Sequence, residues 1–214
     1  MYMWNITNTF LATALHLAIQ KGSLELVNTL LRAEDNPSIT NKSGETALHL
    51  ATEKGHIKIV QALLKSGANI NTTNKDRNRA LHFAAKNGNI EIVKALLNAN
   101  ADPNIKSKIG ETPLVIATQN GHIEIVRALV NSKANPNITD NDGWTVLIKS
   151  AYDGSLEIVQ SLLNAGADPN VSNIYGAPPI LPAVENGNLE ITIFAYKDYV
   201  NPDLFEKECE NKVF

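Results

Sequence analysis

Five histidines offer the most chemistry in this chain. His16, His49 and His82 stand 33 residues apart, and His56 and His122 each follow a glycine. An imidazole can ligate a metal or carry a proton, but a metal needs ligands that converge at bonding distance, and a fixed 33-residue interval does not by itself bring three rings together. Five acids, Glu25, Glu91, Glu124, Glu157 and Glu190, share one register. Paired carboxylates do general acid–base work, yet each of these lies between apolar positions in a helical pattern, which predicts the solvent side. Cys209 is the single cysteine; alone it makes neither an internal disulfide nor a cysteine-based zinc site, and no neighbour marks it as an activated thiol. No phosphate-cradling glycine loop, nucleophile elbow or HExxH is present. No residue is nominated for catalysis, so the chain is expected to be no enzyme, with no cofactor, no metal and no small-molecule substrate.

The elements that hold these residues are copies of one unit. Gly22, Gly55, Gly88, Gly121, Gly154 and Gly187 recur every 33 residues without a gap, and Thr13, Thr46, Thr112 and Thr145 share that interval. In the second copy Thr46-Ala47-Leu48-His49-Leu50-Ala51 is followed by Gly55, then Ile57, Ile59, Val60, Leu63 and Leu64. Thr46 suits the cap of a first helix, Pro113 the first helical position, and Gly55 the left-handed exit. Ser23, Asn89, Ser155 and Asn188 suit the cap of a second helix, whose wide apolar face is what two flanking neighbours would bury. Gly67 and Gly166, with Asn100 in the same slot, close that helix. Asp102-Pro103-Asn104 and Asp168-Pro169-Asn170 then lead to a turn carrying Gly44, Gly110, Gly143 and Gly176.

This period and motif resemble the ankyrin-repeat family, from about residue 8 to about residue 200. The resemblance implies an all-α ankyrin-repeat solenoid. Residues 1–12 are expected to be an N-terminal cap or the remnant of a preceding repeat, since Ile6-Thr7-Asn8 matches Ile39-Thr40-Asn41. Residues 13–177 make five repeats, and 178–214 a degenerate sixth repeat with a capping helix. It also implies that the motif histidines bond to the backbone of adjoining segments. Two copies break the rules. Arg77 takes the turn-glycine slot, costing roughly 1–2 kcal/mol in a left-handed backbone, and Arg79 replaces the capping threonine, costing about 1 more. The hairpin from Asn74 to Arg79 is therefore expected to be looser than Thr40 to Thr46. Pro182 falls inside the first helix of the sixth copy, which should be shortened or displaced.

Function follows from the resemblance: a non-catalytic adaptor or scaffold, monomeric, that grips another protein on its hairpin tips and the inner surface of its first helices. Copies two and three carry charges in those slots, whereas later copies carry Ile109, Trp144, Tyr152, Ile174 and Tyr175. Tryptophan and tyrosine dominate binding hot spots, so this patch is the expected anchor; the alternative is that Ile174 and Tyr175 pack under the sixth copy and leave Trp144 isolated. Lys42, Lys75 and Lys108 form a column that either steers an acidic partner or is a solvated edge. Asn104 and Asn170 resemble, weakly, the asparagines hydroxylated in such arrays. With 19 basic against 22 acidic residues, there is no electrostatic footprint for nucleic acid or membrane, and no run reaches membrane-spanning length. A cytoplasmic setting fits one cysteine. The asparagine, lysine and isoleucine bias also fits a host-directed effector of an intracellular bacterium, acting in the host cytosol; an inhibitor that blocks an enzyme, or a structural spacer, are the other readings.

Overall fold

The computed structural model describes residues 14–33, 36–174, 176, 178 and 180–192. Every regular element among them is a helix, and no strand occurs among them. In chain order these are α1 (14–20), α2 (Leu24–Arg32), α3 (Ala47–Glu53), α4 (Ile57–Lys65), α5 (Ala80–Asn87), α6 (Ile90–Asn98), α7 (Pro113–Gln119), α8 (Ile123–Asn131), α9 (Val146–Tyr152), α10 (Leu156–Asn164), α11 (Ile180–Glu185) and α12 (189–192). The residues divide into two compact units, up to Lys108 and from Ile109 on.

Each unit stacks helical pairs. In the first, α3 packs on α4 and on α5, while α4 lies between α2 and α6. In the second, α7 and α11 both pack on α9, and α8 packs on α10. A helix with neighbours on both sides must be apolar over a wide arc. Accordingly Ile59, Val60 and Leu63 of α4 are buried, as are Ile92, Val93 and Leu96 of α6 and Ile125, Val126 and Leu129 of α8. The first helices are buried almost all round: residues 47–52 of α3 are all inaccessible. The register acids Glu25, Glu91, Glu124, Glu157 and Glu190 face solvent.

Thr46, Thr112 and Thr145 cap their helices, accepting the backbone N–H of His49, Val115 and Ile148. Ser23 and Asn89 cap second helices in the same way. Ser155 does not: its hydroxyl makes no capping bond. Asn188 instead sends its amide across to the carbonyl of Ala151, at 3.0 Å.

The turns owe as much to asparagine and aspartate as to glycine. The Oδ1 atoms of Asn41, Asn74 and Asp140 each accept two backbone N–H groups, two and four residues on, at 2.9–3.0 Å. One repeat also presses on the next. A Cβ on Gly110 would lie 2.5 Å from Asn141 Oδ1, and one on Gly143 would lie 2.8 Å from Ile174 Cγ2. Glycine there serves both positive φ and close approach. Successive tips in the first unit are joined by backbone bonds, Lys75 N–H to Ser43 O and Lys108 N–H to Asp76 O, at 3.1 and 2.8 Å.

Arg77 is left-handed, with φ 60°, and its hairpin keeps the bonds of the glycine-containing ones: Arg77 N–H to Asn74 O at 3.0 Å and Asn74 N–H to Asn78 O at 2.9 Å. Arg79 has no acceptor to cap α5, but its own N–H still bonds His82 Nδ1 at 3.1 Å, and the N–H of His82 bonds Arg79 O. Lys133 (φ 67°) is left-handed in the slot of Asn100 (φ 64°) and Gly67, with no hint of this in its residue type. Helix α11 is described from Ile180 to Glu185, with Pro182 buried within it, and its C-terminal end keeps the register of Glu53. The expected shortening turns on residue 179, which lies outside the described residues. The expected N-terminal cap at 1–12, Thr13, Phe194, Tyr196, Tyr199, Cys209 and the helix predicted from Asp203 to Phe214 lie outside the described residues.

Candidate functional site

In the second unit α7, α9 and the turn between α8 and α9 surround an open cleft of about 320 Å³. Trp144 and Tyr152 line it, together with Gln119, Lys149 and three aspartates, Asp140, Asp142 and Asp153.

The cleft is built outward from Asp140. Its Oδ1 accepts the N–H groups of Asp142 and Trp144, its backbone N–H bonds the Trp144 carbonyl at 3.0 Å, and its Oδ2 meets Lys149 Nζ at 2.8 Å. Both oxygens of that carboxylate are engaged. Burial works to raise the Asp140 pKa, but the hydrogen bonds from Lys149, Trp144 and Asp142 and the lysine charge together outweigh it, and the pKa lies below the ordinary aspartate value. Lys149 also lies 3.9 Å from Glu111 Oε1, an atom that accepts from Gln119 Nε2 at 2.9 Å. This network clamps the turn onto α7 and α9 and fixes Trp144 at the base of its hairpin. Trp144 is half-buried rather than projecting. Tyr152, the last residue of α9, is 56% exposed, and its carbonyl accepts Asn186 Nδ2 at 3.0 Å. The phenol thus stands free at a helix end whose backbone is held.

Both rings replace non-aromatic residues. Trp144 takes the slot of Glu45, Asn78, Glu111 and Ala177, and Tyr152 that of Glu53, Lys86, Gln119 and Glu185. Sequence reasoning passed over Lys149 and Asp140, although a signal was there. Lys149 stands where other copies have Leu50, Phe83 and Ile116, and Asp140 where they have Asn41, Asn74, Ser107 and Asn173. Two reciprocal charges appear in one copy at slots that are otherwise uncharged.

The other expected residues are placed as follows. Ile109 and Ile174 are 64% and 66% exposed, on the turn row that also carries Asp142. Ile174 is therefore not packed beneath the sixth copy, and Tyr175 lies outside the described residues. Lys42, Lys75 and Lys108 are exposed in the turns of the first unit, with Glu45 and Asp76 interleaved. The backbone N–H of Asn104 bonds Asp102 Oδ1 at 2.9 Å and that of Asn170 bonds Asp168 Oδ1 at 2.8 Å; the Asn170 side chain is exposed.

The motif histidines hold the stack together. Nε2 of His16, His49 and His82 lies 3.1, 3.1 and 3.0 Å from the carbonyls of Glu45, Asn78 and Ile105. His49 Nδ1 accepts the Thr46 N–H at 3.2 Å, so its ring is neutral with the proton on Nε2. Burial lowers its pKa below the ordinary histidine value, against the raising effect of the Asn78 carbonyl, the Glu45 charge and Thr72. Among the described residues no three histidine, cysteine, aspartate or glutamate side chains are grouped as a metal would require, and no helix is long and apolar enough to cross a membrane.

A family model described as ankyrin repeats (3 copies) matches residues 2–74, 81–173 and 132–206. Comparison with curated proteins returned no match.

Proposed function

Because the chain belongs to the ankyrin-repeat family, whose members are generally protein–protein interaction modules, we propose that it is an adaptor that captures a partner protein at the Trp144–Tyr152 cleft. It does so as a single chain in the cytoplasm, without cofactor or catalysis. One observation carries this reading: an exposed tyrosine and a clamped tryptophan line one cleft, in slots where no other copy has an aromatic residue. Aromatic anchors in such positions supply most of an interface's energy, and truncating one costs about 2 kcal/mol or more. Ile109 and Ile174 extend the apolar surface along the turn row.

Tyr152→Ala is the cleanest test, because the phenol is mostly solvent-exposed. Affinity capture from cytosol with wild type as bait should recover a partner that Tyr152→Ala and Trp144→Ala/Tyr152→Ala lose, while the urea midpoint of Tyr152→Ala stays near wild type. Undiminished capture by both variants would place the interface elsewhere.

A further inference from the structure

From the charges that remain free in the cleft we infer that its occupant is an arginine side chain of the partner. This rests on the adaptor reading above and names the chemistry recognised there.

Lys149 is the one cation among the described residues that line the cleft. It is engaged by Asp140 at 2.8 Å and approached by Glu111 at 3.9 Å, and its side chain is 17% exposed, so it offers no charge to a ligand. Asp142 and Asp153 lie at the rim, both exposed, and neither carboxylate is paired with a cation among the described residues. An anionic ligand would meet two unpaired carboxylates at the cost of like-charge repulsion. A purely apolar one would strip water from them without replacement.

A cation with a flat face satisfies both halves of the site. Trp144 and Tyr152 provide ring surfaces for cation–π stacking, and the two aspartates provide oxygens for hydrogen-bonded charge pairs. Guanidinium meets these demands better than ammonium, because it is planar, weakly hydrated and carries five donors in a fork. The clamp on Asp140 adds preorganisation: the tryptophan is held before any ligand arrives, so little is lost in ordering it.

The test uses capped pentapeptides Gly-Gly-Xaa-Gly-Gly with Arg, Lys, Gln or Glu at the centre, titrated into the full chain and followed by proton–nitrogen NMR. The arginine peptide should shift the Trp144 indole N–H and the Tyr152 amide. Lysine should bind more weakly, and glutamine and glutamate should leave both signals in place. Asp142→Asn/Asp153→Asn, exposed and isosteric, should weaken the arginine peptide roughly fivefold, as expected for two solvent-exposed ion pairs. Lysine binding as well as arginine, no arginine preference over glutamine, or an unchanged response in the double asparagine variant would each overturn the inference. If the arginine peptide fails while Tyr152→Ala still abolishes partner capture, this inference falls and the adaptor reading stands. If the peptide binds with the expected preference while Tyr152→Ala captures normally, the cleft prefers guanidinium but the partner does not occupy it, and the assignment to the partner falls together with the adaptor reading.

Discussion

Arg77→Gly should stabilise the protein, by an amount that follows from its turn. Arg77 holds φ 60° in a hairpin with the same hydrogen bonds as those built on glycine, so its backbone has not relaxed away from the left-handed region. A side chain there costs roughly 1–2 kcal/mol. Glycine relieves that cost but frees the unfolded chain, returning about 0.5–1 kcal/mol. Arg77 is exposed, so little packing is lost, and the net expectation is a gain of about 0.5–1 kcal/mol. Asn100→Gly is the internal control: its φ of 64° is nearly the same, but asparagine visits this region more readily, so its gain should be smaller. Urea unfolding should show a higher midpoint for Arg77→Gly at unchanged slope, with slower amide exchange from Asn74 to Arg79. No gain, or an equal gain for Asn100→Gly, would refute the strain argument.

Three further outcomes are expected. Because His49 has a depressed folded-state pKa, its contribution to stability is complete above its unfolded value of 6.5 and is lost as pH falls through the folded value; urea midpoints should decline from pH 7.5 to pH 5, and less so in His49→Gln. Lys149→Met should cost about 1–2 kcal/mol at pH 7 through loss of the bond to Asp140, and since the Asp140 pKa is also lowered, the penalty should shrink as pH drops below about 3.8 and the carboxylate protonates; a penalty independent of pH would mean the ion pair is not its source. The Thr118 hydroxyl is buried with no hydrogen-bond partner, so Thr118→Val, which keeps the volume, should raise stability by about 1 kcal/mol in thermal or urea unfolding.

Much of the fold is legible in the residues because each repeat specifies its own local structure. Threonine caps, exit glycines and the Ile-x-Ile-Val spacing act within ten or so positions, and the helices form where those signals place them. Left-handed Lys133 was legible only through its slot, shared with Gly67, Asn100 and Gly166, because its own side chain carries no mark of the backbone beneath it. Idle Ser155, whose backbone sits at ψ 77° against 93–95° for the capping Ser23 and Asn89, was not legible. At the site, Trp144 and Tyr152 stood out as rings in slots with no other aromatic residue. Asp140 and Lys149 pair across nine residues through a turn and a helix start, a juxtaposition that only the folded chain makes visible. Reading every slot for unexpected charge, rather than the turn tips alone, would have found both.

Each motif imidazole reaches forward to a main-chain oxygen in the approach to the next repeat, as His16 does to Glu45 and His49 to Asn78. A latch of this kind ignores side-chain identity at its far end. Whole blocks can therefore be copied or lost during descent and every remaining latch still closes, while the lining of the cleft is left to drift.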